Sequence, residues 1–378
     1  MMVDRITLDP MSPGTERHLK AFRYGTRGAR PKAYLQGALH ADELPGALAL
    51  TRLRSLLDEA ERRGDIQGEI ILVPLANPGG LGQVLGGVHI GRRDFRLGSN
   101  FNRRWLDLSD GLAAAVEPLL GPDPAANVAA IRAALGGKLA SLEPLGELAR
   151  LRCALTGMAY DADIVLDLHC DDDALMHVYM MPQHWSAGAD LAAELGAVAC
   201  LLHDDSGDFC FDESHSLPFT RLHKALGTRY SIPAACFAAT VELRGQADVS
   251  DELAEADAAA LYRFLQRRGL VAGDPGPLSA PACVATPLDG ADFVEAPAPG
   301  LLTYKVALGT VVQQGEVLAE LVDPLADDPT QSRRPITARC DGLVLARRLK
   351  KLVAPGDSVA MVVSAAALPH RQGRIMVD

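Results

Sequence analysis

Short apolar runs of strand length alternate with helix-periodic stretches over the first 270 residues, and this alternation restricts the chain to few architectures. AYLQGAL at 33–39, EIILVPL at 69–75, DIVLDL at 163–168, ALMHVYMM at 174–181 and CFAATVEL at 236–243 are apolar enough to be core strands. Between them, apolar residues recur at helical spacing from Leu44 through Leu57, with Gly64 as a stop, and again over 124–155, 186–196 and 251–269. Strands that alternate with helices build a mostly parallel sheet covered on both faces. The expected fold class is therefore α/β, with three layers.

The texture changes at VAGDPGPLSAPACVATP (271–287), a stretch rich in proline and glycine that has no periodicity and reads as an interdomain connection. This divides the chain into a first domain at 1–272 and a second at 286–365. The second has short Val/Leu runs broken by Gly and Pro, and it repeats itself. GLLTYKVALGTVVQQGEVLAEL (300–321) and GLVLARRLKKLVAPGDSVAMVV (342–363) both run from Gly-Leu through a basic strand to a turn beginning Val-x-x-Gly-acid. Two equivalent β motifs predict a small all-β barrel or sandwich closed by pairing its halves.

Residues able to do chemistry stand where the core strands end. His40 and Glu43 occupy GALHADELPG, between a strand and a helix. Side chains at i and i+3 there can converge on one ion at the strand ends where α/β sheets bind ligands, although an isolated HxxE is just as often surface chemistry. His169, in DIVLDLHCDDD, leaves a second core strand on the same rim. Two histidines and a glutamate make a three-ligand zinc site with the fourth position open, which is the arrangement of a catalytic rather than a structural zinc. Asp167 points the same way as His169 and either orients its imidazole or caps a turn. Cys170 points to the opposite face and is not expected to be a ligand.

Glu242, in AATVELRGQ, ends another core strand. It can take a proton from zinc-bound water and pass it to a leaving nitrogen, or it can simply pair with Arg244. SNFNRRW (99–105), preceded by GRRDFR (91–96), places Asn102 and Arg103 together as an amide and a bidentate fork suited to a carboxylate. Arg93 or Arg96 can polarise a scissile carbonyl, although a run of arginines is more often a solvated face. His177, His203 and His215 read as core or rim histidines, and 204–216 as a long polar loop.

HxxE at 40–43, Asn77-Pro78, NFNR at 100–103, DLH at 167–169 and TVEL at 240–243 occur in that order. The combination resembles the succinylglutamate desuccinylase/aspartoacylase family, a branch of the zinc carboxypeptidase superfamily, over essentially the whole chain. The resemblance implies a zinc-carboxypeptidase-like first domain that binds one Zn²⁺ per chain through His40, Glu43 and His169. It makes Glu242 the general base, Asn102 and Arg103 the holders of the substrate carboxylate, and Arg96, in preference to Arg93, the arginine at the carbonyl. Three features depart from the common pattern: an acid, Asp42, within HADE; an upstream arginine of ambiguous spacing; and a cation, Arg244, directly after TVEL, expected near the pocket. The C-terminal segment looks like the barrel-sandwich fold of biotinyl and lipoyl carriers. The stretch between its repeats, 322–341, contains no lysine, so a covalent swinging arm is not expected.

The activity implied is hydrolysis of the amide bond of an N-acyl amino acid or related small molecule. Two alternatives stand beside it: a zinc carboxypeptidase acting on small peptides, and a non-catalytic metal-binding or carrier module. A net charge of −11 argues against nucleic acid as a partner. The absence of an 18-residue apolar run argues against a membrane. Seven cysteines without a CxxC spacing suit a reducing compartment, and no secretory leader is apparent, so a cytoplasmic location is expected. A homo-oligomer is compatible with this reading.

Overall fold

The computed structural model describes residues 1–205 and 207–371. Nine strands form one sheet: β1 (Met2–Thr7), β2 (His18–Gly25), β3 (Lys32–Gly37), β4 (Glu69–Val73), β5 (Ile164–Asp171), β6 (His177–Met180), β7 (Ala199–Leu202), β8 (Phe237–Gly245) and β9 (Ala285–Pro287). Their order across the sheet is β1-β2-β4-β3-β5-β8-β6-β7-β9. The pairs β1–β2, β2–β4 and β8–β6 are antiparallel and the other five are parallel, so the sheet is mixed and mostly parallel.

Both faces are covered by helices, which is why the central strands read as continuous apolar runs. One face buries Leu35, Leu166, Leu168, Val178 and Val241 against α1 (Pro45–Arg63), α4 (Trp185–Leu195) and α6 (Asp251–Arg267), through Leu50, Leu53, Leu191, Leu261 and Phe264. The other buries Tyr34, Ile71, Val165 and Ala238 against α2 (Pro124–Ala140), α3 (Glu147–Ala159) and α5 (Phe211–Leu226), through Ile131, Leu151, Leu155, Phe219 and Leu222. Alternation along β5 sends Leu166 and Leu168 to the first face and Asp167, His169 and Asp171 to the second. The chemistry of the strand ends therefore gathers on the second face.

The helix predicted over 124–155 is two helices, broken at 141–146, where Gly146 adopts a left-handed conformation at φ 88°. The loop predicted over 204–216 is shorter than expected because α5 starts at Phe211. Glu213 reaches back to the Cys210 amide at 3.0 Å and completes a capping box; Ser206 of that stretch lies outside the described residues. The stretch read as a connection, 271–287, ends in the edge strand β9, paired with β7, so residues 286–287 belong to the first sheet.

Eight further strands follow: β10 (Ala291–Glu295), β11 (Gly300–Tyr304), β12 (Val311–Val312), β13 (Val317–Val322), β14 (Arg333–Thr337), β15 (Gly342–Arg347), β16 (Leu352–Val353) and β17 (Ser358–Val363). They form two antiparallel sheets, ordered β10-β17-β15-β12 and β14-β13-β11-β16. Each sequence repeat lends its short middle strand to the other repeat's sheet: β12 pairs with β15, and β16 with β11. This unit is tied to the first sheet at Asp173–Ala174, directly after β5, which pairs with Arg347 and Ala346 of β15. Arg347 also donates to Asp173 at 2.8 Å. No disulfide joins the described cysteines, and none of the described helices is long and apolar enough to cross a membrane.

Candidate metal centre

His40 and Glu43 lie on the turn that joins β3 to α1. Ala38, at the end of β3, takes a left-handed conformation at φ 54°, and the Glu43 amide then closes onto the His40 carbonyl at 3.0 Å. Close approach of α1 to the sheet holds this turn down. A Cβ on Gly46 would lie 2.8 Å from Cβ of Leu168, a contact that only glycine avoids.

Glu43 is buried and stands between two imidazoles. Its Oε1 is 2.9 Å from Nδ1 of His40 and its Oε2 is 2.7 Å from Nδ1 of His169. The far nitrogens fix the tautomers. Oδ1 of Asn100 accepts from the Asn102 amide at 2.8 Å, so Nε2 of His40, 2.7 Å from the same oxygen, is its donor. Nε2 of His169 faces the Asp167 carboxylate at 2.9 Å and donates to it. Asp167 is steadied in turn by Gln36 at 2.9 Å, and Gln36 by Tyr34 at 2.8 Å. Both Nδ1 lone pairs and the Glu43 carboxylate thus converge, with their donor atoms within 4.8 Å of one another. Three such acceptors facing one point could hold a cation, and buried His₂Glu donors with their far nitrogens hydrogen-bonded fit a divalent metal.

Electrostatics report the same demand. Burial tends to raise the Glu43 pKa, but the two imidazoles outweigh it and hold the carboxyl well below its usual range. Burial pushes His40 down. Burial opposes charge on His169 too, yet the Asp167 and Glu43 carboxylates on its two nitrogens hold it well above the ordinary histidine value.

Glu242 stands next to His169 in register across the β5–β8 pair, on the same face. Burial pushes its carboxyl up to about 8; His169 opposes this, while the Glu43 and Asp171 carboxylates reinforce it. Its Oε2 is buried without a hydrogen-bond partner.

The arginines are distributed differently from the sequence expectation. Arg92, not singled out by sequence, donates to Oε1 of Glu43 at 2.9 Å with its side chain 46% exposed, so it lies across the mouth of the site. Arg96 does not reach the site. The turn closed by Asp94 and Ser99 carries it outward to line a cavity with Arg17 and Glu147. Arg93 donates to the Gly98 carbonyl at 3.2 Å within that turn. Gly91 sets the division: its carbonyl accepts from the Ala41 amide at 3.0 Å, and a Cβ there would lie 2.3 Å from the Asp42 amide.

Arg244 is likewise turned away from the site. A bulge follows Glu242, Arg244 sits at φ 66°, and its guanidinium grips Asp257 on α6 at 2.5 and 3.0 Å, on the opposite side of the sheet. Asn102 is committed to the protein. Its Oδ1 accepts from Trp105 Nε1 at 3.1 Å and from the Phe211 amide at 2.9 Å, while its Nδ2 faces Asp167 and His169. Arg103 is buried, donates to the Asn102 carbonyl at 2.9 Å and acts electrostatically on Tyr179, whose ring lies on the same face as Glu242. Asn100 and Arg92 are the residues that sequence reasoning missed. Asn100 lies inside the quoted NFNR motif, whereas Arg92 differs from Arg93 only by the face of an irregular loop.

Residues 29–119 match the family model of the succinylglutamate desuccinylase/aspartoacylase catalytic domain, a span that holds His40, Glu43, Arg92, Asn100, Asn102 and Arg103. The chain is 27% identical over 347 residues to the N-alpha-acetyl-L-2,4-diaminobutyric acid deacetylase of Halomonas elongata, covering 89% of this chain and 83% of that protein. Among solved structures, a succinylglutamate desuccinylase/aspartoacylase family protein from Shewanella amazonensis superposes with a TM-score of 0.86 at 25% identity, over 96% of this chain and 99% of that one. The product-bound ectoine utilization protein EutE (DoeB) from Ruegeria pomeroyi shares the fold at a TM-score of 0.66 and 19% identity, over 95% and 94% of the two chains. The ordered motifs, the matched catalytic segment and the full-length likeness agree: residues 29–119 match the succinylglutamate desuccinylase/aspartoacylase catalytic domain, and the whole chain is similar in fold to proteins of that family.

Proposed function

We propose that this protein is a zinc-dependent amidohydrolase that removes the acyl group from an N-acyl amino acid or a related small amide. The observation that carries the reading is the convergence of His40, Glu43 and His169 on one point, with the half-buried carboxyl of Glu242 beside them. His40 and His169 through Nδ1, and Glu43 through its carboxylate, would hold one Zn²⁺. Bound there, zinc supplies Lewis acidity and brings the pKa of a coordinated water down to roughly 7.

The chain's own groups do the rest. Glu242 takes a proton from the attacking water and returns it to the leaving nitrogen; its raised pKa suits an acid/base that must carry the proton in between. Arg92, poised beside Glu43, receives the charge that develops on the carbonyl oxygen. Arg103 holds the substrate carboxylate, and Asn102 braces that loop instead of touching substrate. Strands 291–363 form a separate β domain of the carrier-like barrel-sandwich type that packs against Ala174 and Tyr179 next to the end of β5.

The name of the Halomonas relative makes N-acetyl amino acids, including those with a second amino group, the first substrates to assay. In Glu242→Gln, zinc content and fold are expected to be unchanged while kcat falls by about 10² or more. A Gln variant with parental kcat would remove the proposal.

A further inference from the structure

The chemistry continues across the sheet beyond Glu242. Register places His169 on β5, Glu242 on β8 and His177 on β6 at one level of three adjacent strands, all on one face. Directly opposite residues of an antiparallel pair have their Cβ atoms roughly 5 Å apart, so the side chains of Glu242 and His177 are neighbours. His177 is fully buried. Its Nδ1 lies 2.8 Å from the Leu175 carbonyl oxygen. A carbonyl only accepts, so Nδ1 carries the ring proton and Nε2 presents a lone pair. Nε2 has no hydrogen-bond partner, and neither has the buried Oε2 of Glu242.

Two buried acceptors side by side are matched by a molecule with two donors, which is what a single water offers. No described side chain donates to Nε2 of His177. Asp171, on β5, presents a further acceptor; Tyr179, on β6 with His177, sets its ring at 70° to the imidazole at a centroid distance of 5.3 Å; Ala199 is the partner of His177 on β7.

We propose that His177 is a positioning residue for Glu242. One bridging water donates one hydrogen to Nε2 and the other to Oε2, pinning that oxygen and keeping Oε1 turned toward the point where His40, Glu43 and His169 converge, where the proton is taken up. The inference rests on Glu242 acting as the base, so its test runs beside Glu242→Gln.

His177→Asn keeps a donor for the Leu175 carbonyl but has no acceptor at the Nε2 level; His177→Gln places an amide oxygen there. His177→Asn is expected to fold with parental zinc content and KM within twofold, and to lose about tenfold in kcat. His177→Gln should recover most of that loss, and His177→Asn combined with Glu242→Gln should be no slower than Glu242→Gln alone. Should Asn fail to fold at this site, His177→Leu, which removes both ring nitrogens, is read for kcat in the same way against His177→Gln. Parental kcat in His177→Asn, with Glu242→Gln inactive, overturns the positioning role and leaves the base in place. A fully active Glu242→Gln overturns both.

Discussion

Arg92 and Arg96 separate what a sequence run contains from what a site uses. Both belong to GRRDFR, but Arg92 reaches the Glu43 carboxylate at 2.9 Å, whereas Arg96 is carried away by the 94–99 turn. A guanidinium aimed at developing charge is typically worth two to three orders of magnitude. Arg92→Ala is therefore expected to lower kcat by about 10² with a smaller change in KM, and Arg96→Ala to leave both within twofold; steady-state kinetics on an N-acetyl amino acid reads the difference. The residues His40, Glu43, His169 and Glu242 were legible because each follows an apolar strand that must end at a rim. Arg92, Asn100 and the outward turn of Arg244 were not, because they depend on loop conformation: a close approach at Gly91, an amide donated to Asn100 Oδ1, a positive φ after Glu242.

At the scale of strands and helices, what was legible follows burial. β3, β4, β5, β6 and β8 are covered on both faces and so announce themselves as apolar runs. β1 is largely exposed and β2 carries Lys20 and Arg23 among its apolar residues, so neither stood out. What aligns β3 with β5 is also local chemistry. Asp163, just before β5, accepts from the Lys32 amide at 2.6 Å, from Arg132 of α2 at 2.7 Å and from Arg30 at 3.0 Å. Burial alone would raise its pKa, but these donors outweigh it and hold the carboxyl below its ordinary value. A carboxyl depressed by folding stabilises fully above its unfolded pKa, about 3.9, and that stabilisation is lost as pH falls through the lower folded value. In urea titrations the gap between the parent and Asp163→Asn should hold steady above about pH 5 and narrow below about pH 4. A gap that widens on acidification would contradict the assignment.

For the whole molecule, an alternating α/β pattern and an internal β repeat foretold the two textures of the chain. The exchange of β12 and β16 between the repeats' sheets, and the seam at Asp173–Ala174, arise from long-range pairing that no local pattern encodes. Through that seam the C-terminal strands abut Tyr179 and the end of β5, close to the proposed metal ligands. The proposed activity depends on three residues from distant parts of the chain gathering around one ion. Metal analysis of the parent and of His169→Ala, each purified with zinc and desalted, tests this most directly. The expected result is one zinc per parent chain and none retained by the variant, with the fold intact by circular dichroism. A parent that holds no zinc, or a variant that holds as much as the parent, would contradict it.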